Sequence, residues 1–433
     1  MLSLDEVLLR GIAEDGGLFV PEAMPHFTTD DFARCESIND TARVVLTPFF
    51  STSSLVEKIG EIIDETFRFP ITRSKLTVAD NNAWMLELYH GPTAAFKDVG
   101  AGFLAACLSR LHQEDSPLTV LVATSGDTGG AVAAAFDKRP NARVVVLFPE
   151  GRVSKRQEKQ LTCWGDNILS LAIKGSFDDC QAMVKEAFAD PQLRERYRFS
   201  SANSINIGRL LPQSIYYAHF SLEHFRETGR IPGFIIPVGN LGNSLACILA
   251  RDMGLPIGDI ILASNANRLI PDYLAGAEWS PRASVQTLAS AMDVGAPSNM
   301  ERLRAIHGDA DSLSTLLSCV SVSDEQIERQ IKDDMQRLGF ATCPHTATAT
   351  CVYRQLGADQ RDSDWIIVAT AHPAKFELIV EPLIDQSLAV PPELAAILSR
   401  KSHFSVIDAN IGALANAMND NFRLDGAAFT SDK

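Results

Sequence analysis

From about residue 76 onward the chain repeats one unit, a short apolar run, a glycine-bearing turn and a helix-periodic segment, and that repetition leaves few folds open. The clearest runs are Leu118 to Ala123, Arg143 to Phe148, Ile168 to Ile173, Phe234 to Val238, Ile260 to Ser264 and Trp365 to Ala369. They are continuously apolar rather than alternating, so the strands they form must be buried on both faces. Such strands separated by helices predict parallel sheets covered by helices, an α/β fold. Expected helices include the alanine-rich Ala131 to Phe136, a segment whose Phe177, Cys180, Val184, Ala187 and Phe188 share one face, Leu210 to Phe220, Ser244 to Leu249 and Lys375 to Ile384.

At 433 residues the chain has room for two or three domains. Residues 1–75 predict a small N-terminal domain, with a turn at Glu14 to Pro21 and a helical pattern on Leu55, Ile59, Ile62, Ile63 and Phe67. Residues 76–388 predict the core, with an inner smaller lobe at about 112–205, and 389–433 a helical C-terminal appendage. Charge narrows the partners. With 39 Lys+Arg against 54 Asp+Glu the net charge is -15, which repels nucleic acid and anionic membranes, so an anionic ligand must be captured by local geometry. No apolar run reaches membrane-spanning length, and the start Met1 to Glu6 carries no basic leader, so a cytoplasmic protein is expected. The eight cysteines form no C-x-x-C pair and predict buried free thiols; the nine histidines lack zinc-ligand spacing, so no metal is expected.

Chemistry is signalled first by Lys97, the single lysine in the run Leu88 to Asp98. Desolvation removes the proton from a buried ammonium and leaves a nucleophilic amine, whereas a lysine at a helix start can also reach solvent and pair with Asp98. Two loops then lie between a strand and a helix, where backbone N–H groups gather anions: Thr124 to Gly130, and Pro237 to Asn243 with Asn243 or Ser244 as cap. Tight turns that bind nothing are the alternative, and neither loop matches a nucleotide-binding pattern. A lysine with two anion cradles suits an aldehyde cofactor bearing one phosphate, acting on a carboxylate substrate, and pyridoxal phosphate fits. Thr370 at a strand end would serve the ring nitrogen or merely cap a helix. Asn203, Ser204 and Arg209 place donors beside a guanidinium and suit a second phosphate.

The motifs Tyr89 to Asp98, Thr124 to Gly129, Asn203 to Asn206, Ala291 to Val294 and Thr370 to Phe376 together resemble those of the threonine synthase family, and Asp15 to Pro21 resembles its N-terminal domain. The resemblance implies the two-lobed fold of tryptophan-synthase-β-like pyridoxal-phosphate enzymes and the conversion of O-phospho-L-homoserine and water to L-threonine and phosphate. It further implies that Lys97 is the Schiff-base lysine and base, that Thr370 serves the pyridine nitrogen, and that Gly239, Asn240, Leu241, Gly242 and Asn243 hold the cofactor phosphate. By the same carry-over Thr124, Ser125, Gly126, Asp127 and Thr128 receive the substrate carboxylate, with Asp127 near the cofactor's ring oxygen, and Asn203, Ser204 and Arg209 receive the substrate phosphate. The chain departs from the family where Val238 and Leu241 replace the usual serine and phenylalanine of the cradle, and where a short strand carrying Ser-Thr-Arg would precede Leu2. The substrate is then a small molecule, monomer and homodimer stay open, and a phospho-lyase of the same fold releasing 2-oxobutyrate, or a non-catalytic relative, are the alternatives.

Overall fold

The computed structural model describes residues 2–76, 82–111, 117–124, 126–139 and 141–422. Its strands are β1 (Thr72–Lys75), β2 (Ala83–Glu87), β3 (Leu118–Ala123), β4 (Ala142–Pro149), β5 (Ile168–Lys174), β6 (Phe199–Ser201), β7 (Gly233–Pro237), β8 (Ile260–Ser264), β9 (Ser318–Ser321), β10 (Trp365–Ala369) and β11 (Ser405–Asp408). They form a six-stranded sheet in the order β1-β2-β10-β7-β8-β9 and a five-stranded sheet in the order β11-β5-β4-β3-β6. All neighbours are parallel except β1 and β2. In β3, β7, β8 and β10 every residue is buried, as helices on both faces require. Each fully buried Val, Leu or Ile there contributes about 1.5–3 kcal/mol relative to exposure.

Helix boundaries follow local chemistry. The helix expected over Leu210 to Phe220 is broken at Pro212, which lacks an N–H to continue the ladder: Ile207–Leu210 ends before it and Gln213–Thr228 starts after it. The second piece runs on to Gly229, whose φ of 69° closes it in the left-handed region. The helix expected from Lys375 instead opens as a 3-10 turn, Pro373–Phe376, before Glu377–Ile384.

The N-terminal region packs as helices Leu4–Arg10, Ile38–Leu46 and Ile59–Thr66. Its Leu8, Phe32, Val45 and Ile62 join the same apolar core as the helix Lys97–Leu111, and Phe50 meets Phe103 edge-on at 6.0 Å. Glu65 ties it to both lobes, accepting from Arg110 at 2.8 Å and from Arg139. Beyond residue 388 the chain adds a strand to its helices. Between Pro392–Leu398 and Ile411–Asn421 it forms β11, which pairs with β5 in the register Ser405 to Leu171. All eight cysteines are free thiols, seven of them buried. Among the described residues no helix is long and apolar enough to cross a membrane.

Candidate active site

Lys97 opens the helix Lys97–Leu111 at the end of the loop that begins after β2. That loop is held against the end of β10 by one antiparallel bridge between Ala95 and Ala371: Phe96 N donates to Thr370 O at 2.9 Å and His372 N to Ala94 O at 3.0 Å, so Thr370 lies opposite the residue that precedes Lys97. Asp98, the next residue, turns away to accept from Thr93 N at 2.9 Å and Thr93 Oγ1 at 2.5 Å, so the pairing of Lys97 with Asp98 is not made. Lys97 pairs instead with Asp127 across the lobes, Nζ to Oδ2 at 3.7 Å. Burial lowers the basicity of Lys97, Asp127 raises it, and the positive Lys375 and Arg209 lower it again; the balance is a proton held less tightly than on a free lysine.

Asp127 begins the helix Asp127–Phe136 after β3. Burial favours its neutral form, but Lys375 and Lys97 outweigh that and hold the carboxyl well below the usual range, so it is ionised. Lys375, fully buried, donates to Asp127 Oδ1 at 2.8 Å and to Thr93 O at 2.8 Å. Gln157 Nε2 adds a third contact at 3.2 Å. In the same loop Thr124 Oγ1 accepts from Gly126 N at 3.0 Å and Gly129 N at 2.9 Å, which uses two of the backbone donors expected to face an anion. Ser125 lies outside the described residues.

The cradle after β7 is tightly built. Leu241 is held at φ 62°, a costly conformation for a branched residue, at the start of the helix Gly242–Asp252. A Cβ on Gly239 would lie 2.8 Å from Met292 Cα, so only glycine allows that approach. Asn240 ties the cradle to the loop at 204: its Nδ2 donates to Ser204 Oγ at 2.7 Å and Ser298 Oγ at 2.9 Å, while its Oδ1 accepts from Ser298 N at 2.6 Å. Asn243 Oδ1 accepts from the hydroxyls of Tyr216 and Tyr217.

Asn203, Ser204 and Arg209 divide. Ser204 faces the cradle, and Asn203 Nδ2 makes a long contact of 3.5 Å with Ala123 O at the end of β3. Arg209 lies 2% exposed behind them, donating through Nη1 to Ala202 O at 2.5 Å; burial brings its pKa down to about 10. Three buried polar atoms of the cradle and this loop, Asn243 Nδ2, Asn203 Oδ1 and Arg209 Nε, have no hydrogen-bond partner among the described residues. Buried polar groups are rarely left so without a reason. Together with the glycine approach at 239 and the lysine of lowered basicity, they fit a phosphorylated aldehyde cofactor and a polar substrate.

Sequence reasoning missed His345, although Lys375 stood inside a quoted motif. His345 Nε2 accepts from Ala291 N at 3.0 Å, which puts the proton on Nδ1 and fixes the loop that carries Met292 against Gly239. Burial brings its pKa down to about 4, so it is neutral. Little local marks it, because beyond Cys343, whose Sγ lies 3.8 Å from Nδ1, the group it fixes lies in another segment.

Residues 69–371 match the family model described as pyridoxal-phosphate dependent enzyme, residues 1–67 that described as threonine synthase N terminus, and residues 346–418 that described as threonine synthase, C-terminal. The threonine synthase of Escherichia coli strain K12 is 37% identical over 398 residues, 91% of each chain. The crystal structure of threonine synthase from Escherichia coli superposes with a TM-score of 0.88 at 36% identity, covering 97% of both chains. A structure described as PLP-bound threonine synthase from Brucella melitensis gives 0.88 at 32% identity, covering 98% of this chain and 97% of that one.

Proposed function

The chain belongs to the threonine synthase family of pyridoxal-phosphate-dependent enzymes, and from that premise we propose how its own residues carry the reaction. Its activity is that of a threonine synthase, a lyase with pyridoxal phosphate as cofactor, taking O-phospho-L-homoserine and water to L-threonine and phosphate. The observation that carries the residue assignment is the Lys97 amine of lowered basicity, facing an ionised Asp127 across the lobes.

Held at Lys97, the cofactor supplies an electrophilic aldehyde and a sink for the electrons released at the substrate carbons. Gly239, Asn240, Leu241, Gly242 and Asn243 hold its phosphate at the positive end of an 11-residue helix, mainly through backbone N–H groups. Thr370 would offer the ring nitrogen a hydroxyl rather than a charge, and Asp127 would serve the ring oxygen. The Thr124 to Thr128 loop takes the substrate carboxylate, while Asn203, Ser204 and Arg209 take its phosphate. Lys97 Nζ would serve as the base at Cα, since its lowered basicity favours the neutral amine that a general base requires. Arg156 and Gln160 of the small lobe grip the large one, which restricts water to the addition step. The functional division is 1–75, 76–388 and 389–433. The protein works in the cytoplasm as a monomer or homodimer, a setting supported by its eight free thiols.

Steady-state kinetics with O-phospho-L-homoserine, with threonine, phosphate and 2-oxobutyrate each quantified, tests this reading. Equal yields of threonine and phosphate are expected; 2-oxobutyrate as the main product would make the protein a phospho-lyase.

A further inference from the structure

Arg302, in the helix Met300–His307, is 1% exposed, and among the described residues no carboxylate pairs with it. Its guanidinium is spent on four oxygens, three from two distant segments and one from Asn299 at the start of its own helix. Nε donates to Phe19 O at 2.8 Å; Nη1 donates to Asn299 Oδ1 at 2.7 Å and Ser204 O at 3.3 Å; Nη2 donates to Ile205 O. Asn299, fixed by that contact, donates through Nδ2 to Asn240 O at 2.9 Å and Ser204 Oγ at 3.3 Å. One planar fork therefore joins the turn of the N-terminal region, the loop at 204 and the cofactor cradle. A second link runs alongside, from Asn206 Nδ2 to Leu8 O at 3.0 Å.

A buried arginine whose hydrogen bonds all go to carbonyl and amide oxygens keeps much of its field, since little water screens it and Glu301, the one carboxylate that acts on it, makes no ion pair. That field lies directly behind Ser204. We infer that Arg302 is a positioning residue that sets Ser204 and the cradle in register for the substrate phosphate, and that through Phe19 it makes the N-terminal region a working part of the site. The inference rests on reading residues 203–209 as the phosphate loop. A lysine would keep the charge, but its donors spring from one atom and cannot reach Phe19 O and Ile205 O together.

The test compares Arg302→Met, Arg302→Lys, Asn299→Ala and Ser204→Ala at saturating pyridoxal phosphate. Both Arg302 variants should raise KM for O-phospho-L-homoserine at least tenfold while kcat falls no more than about threefold, and borohydride should still fix the cofactor on Lys97. Asn299→Ala, which cuts the link to Ser204 and the cradle but leaves the buried charge, should raise KM about fivefold, and it decides the matter if Arg302→Met does not fold. KM within twofold of the parent in the folded Arg302 variants, or in Asn299→Ala if those do not fold, overturns the inference. If Ser204→Ala raises KM and these variants do not, only the inference fails. If Ser204→Ala also leaves KM unchanged, the phosphate loop lies elsewhere and the reading of the site falls with it.

Discussion

Lys375 has no exposed surface, and it shares Asp127 with the lysine expected to react. Its ammonium repels a proton on Lys97, and it takes up one of the two Asp127 oxygens that would otherwise attract that proton. In Lys375→Met both effects vanish, so the pH midpoint for labelling Lys97 with an amine-reactive probe in the cofactor-free protein should rise; a fall would mean that Asp127 is no longer ionised. The same variant should be less stable, near the lower end of the about 3–5 kcal/mol cost of breaking a buried pair, because Lys97 still partly answers Asp127. Lys97→Ala should abolish borohydride fixation of the cofactor, and peptide mapping that finds the adduct on another lysine would overturn the assignment. Lys97 was legible because a single lysine stands out in a mostly apolar run. The pairing of Lys375 with Asp127 was not, since they lie 248 positions apart and nothing in either segment names the other.

Among the elements, the turn from β7 into the helix Gly242–Asp252 is the least tolerant. In Gly239→Ala the new Cβ would press on Met292 Cα, and that backbone is pinned through Ala291 and His345 and cannot yield freely. Overpacking of this kind costs about 1–3 kcal/mol. Cofactor affinity should fall about tenfold or more with the fold intact, which a titration of the cofactor-free protein would reveal. A different device joins the helices Asp324–Leu338 and Pro344–Gln355: buried Asp334 accepts from Gln330 Nε2, Thr342 Oγ1 and Thr350 Oγ1, each at 2.7 Å. Burial pushes its pKa up to about 6 despite those donors. The folded state thus binds this proton more tightly than the unfolded chain, whose value is near 3.8. Its stabilising contribution is full below pH 3.8 and is lost as the pH rises through about 6, on the order of 3 kcal/mol in all. Urea titrations across that window should show a flatter pH dependence for Asp334→Asn than for the parent. The central strands were readable because burial on both faces leaves a continuous apolar run. The short polar β1, β9 and β11 carry no such signal, since each lies at a sheet edge with mostly exposed or half-buried residues.

Across the whole molecule the two lobes meet over the site through a few directed contacts. Arg156, in the small-lobe helix Lys155–Thr162, donates to Ala374 O and lies 3.6 Å from Glu377; Gln160 donates to Thr93 O at 3.0 Å and Ser154 Oγ to Lys375 O at 3.4 Å. All but Glu377, two residues beyond Lys375, lie on or beside residues that hold Asp127 or Lys97, so the contact between the lobes and the alignment of the reacting groups rest on the same residues. Loosening the grip in Arg156→Ala should admit water at the wrong stage and raise the share of 2-oxobutyrate among the products, measured by chromatography. An unchanged product ratio would place the water barrier elsewhere. This grip was not legible in the sequence, because it depends on how two separately patterned sheets face each other.

The place of β11 has a bearing on synthesis. It completes the sheet begun by β3, β4 and β5, yet 230 residues, from 175 to 404, lie between the end of β5 and its start. At about 5–20 residues per second a ribosome needs about 10–50 s to cover that span. During that time the outer edge of β5 offers a row of unpaired N–H and C=O groups on a nascent chain, the arrangement most open to pairing with a neighbouring polypeptide. Chaperone demand in the cell should therefore track the translation speed of residues 175 to 404 rather than the stability of the finished enzyme.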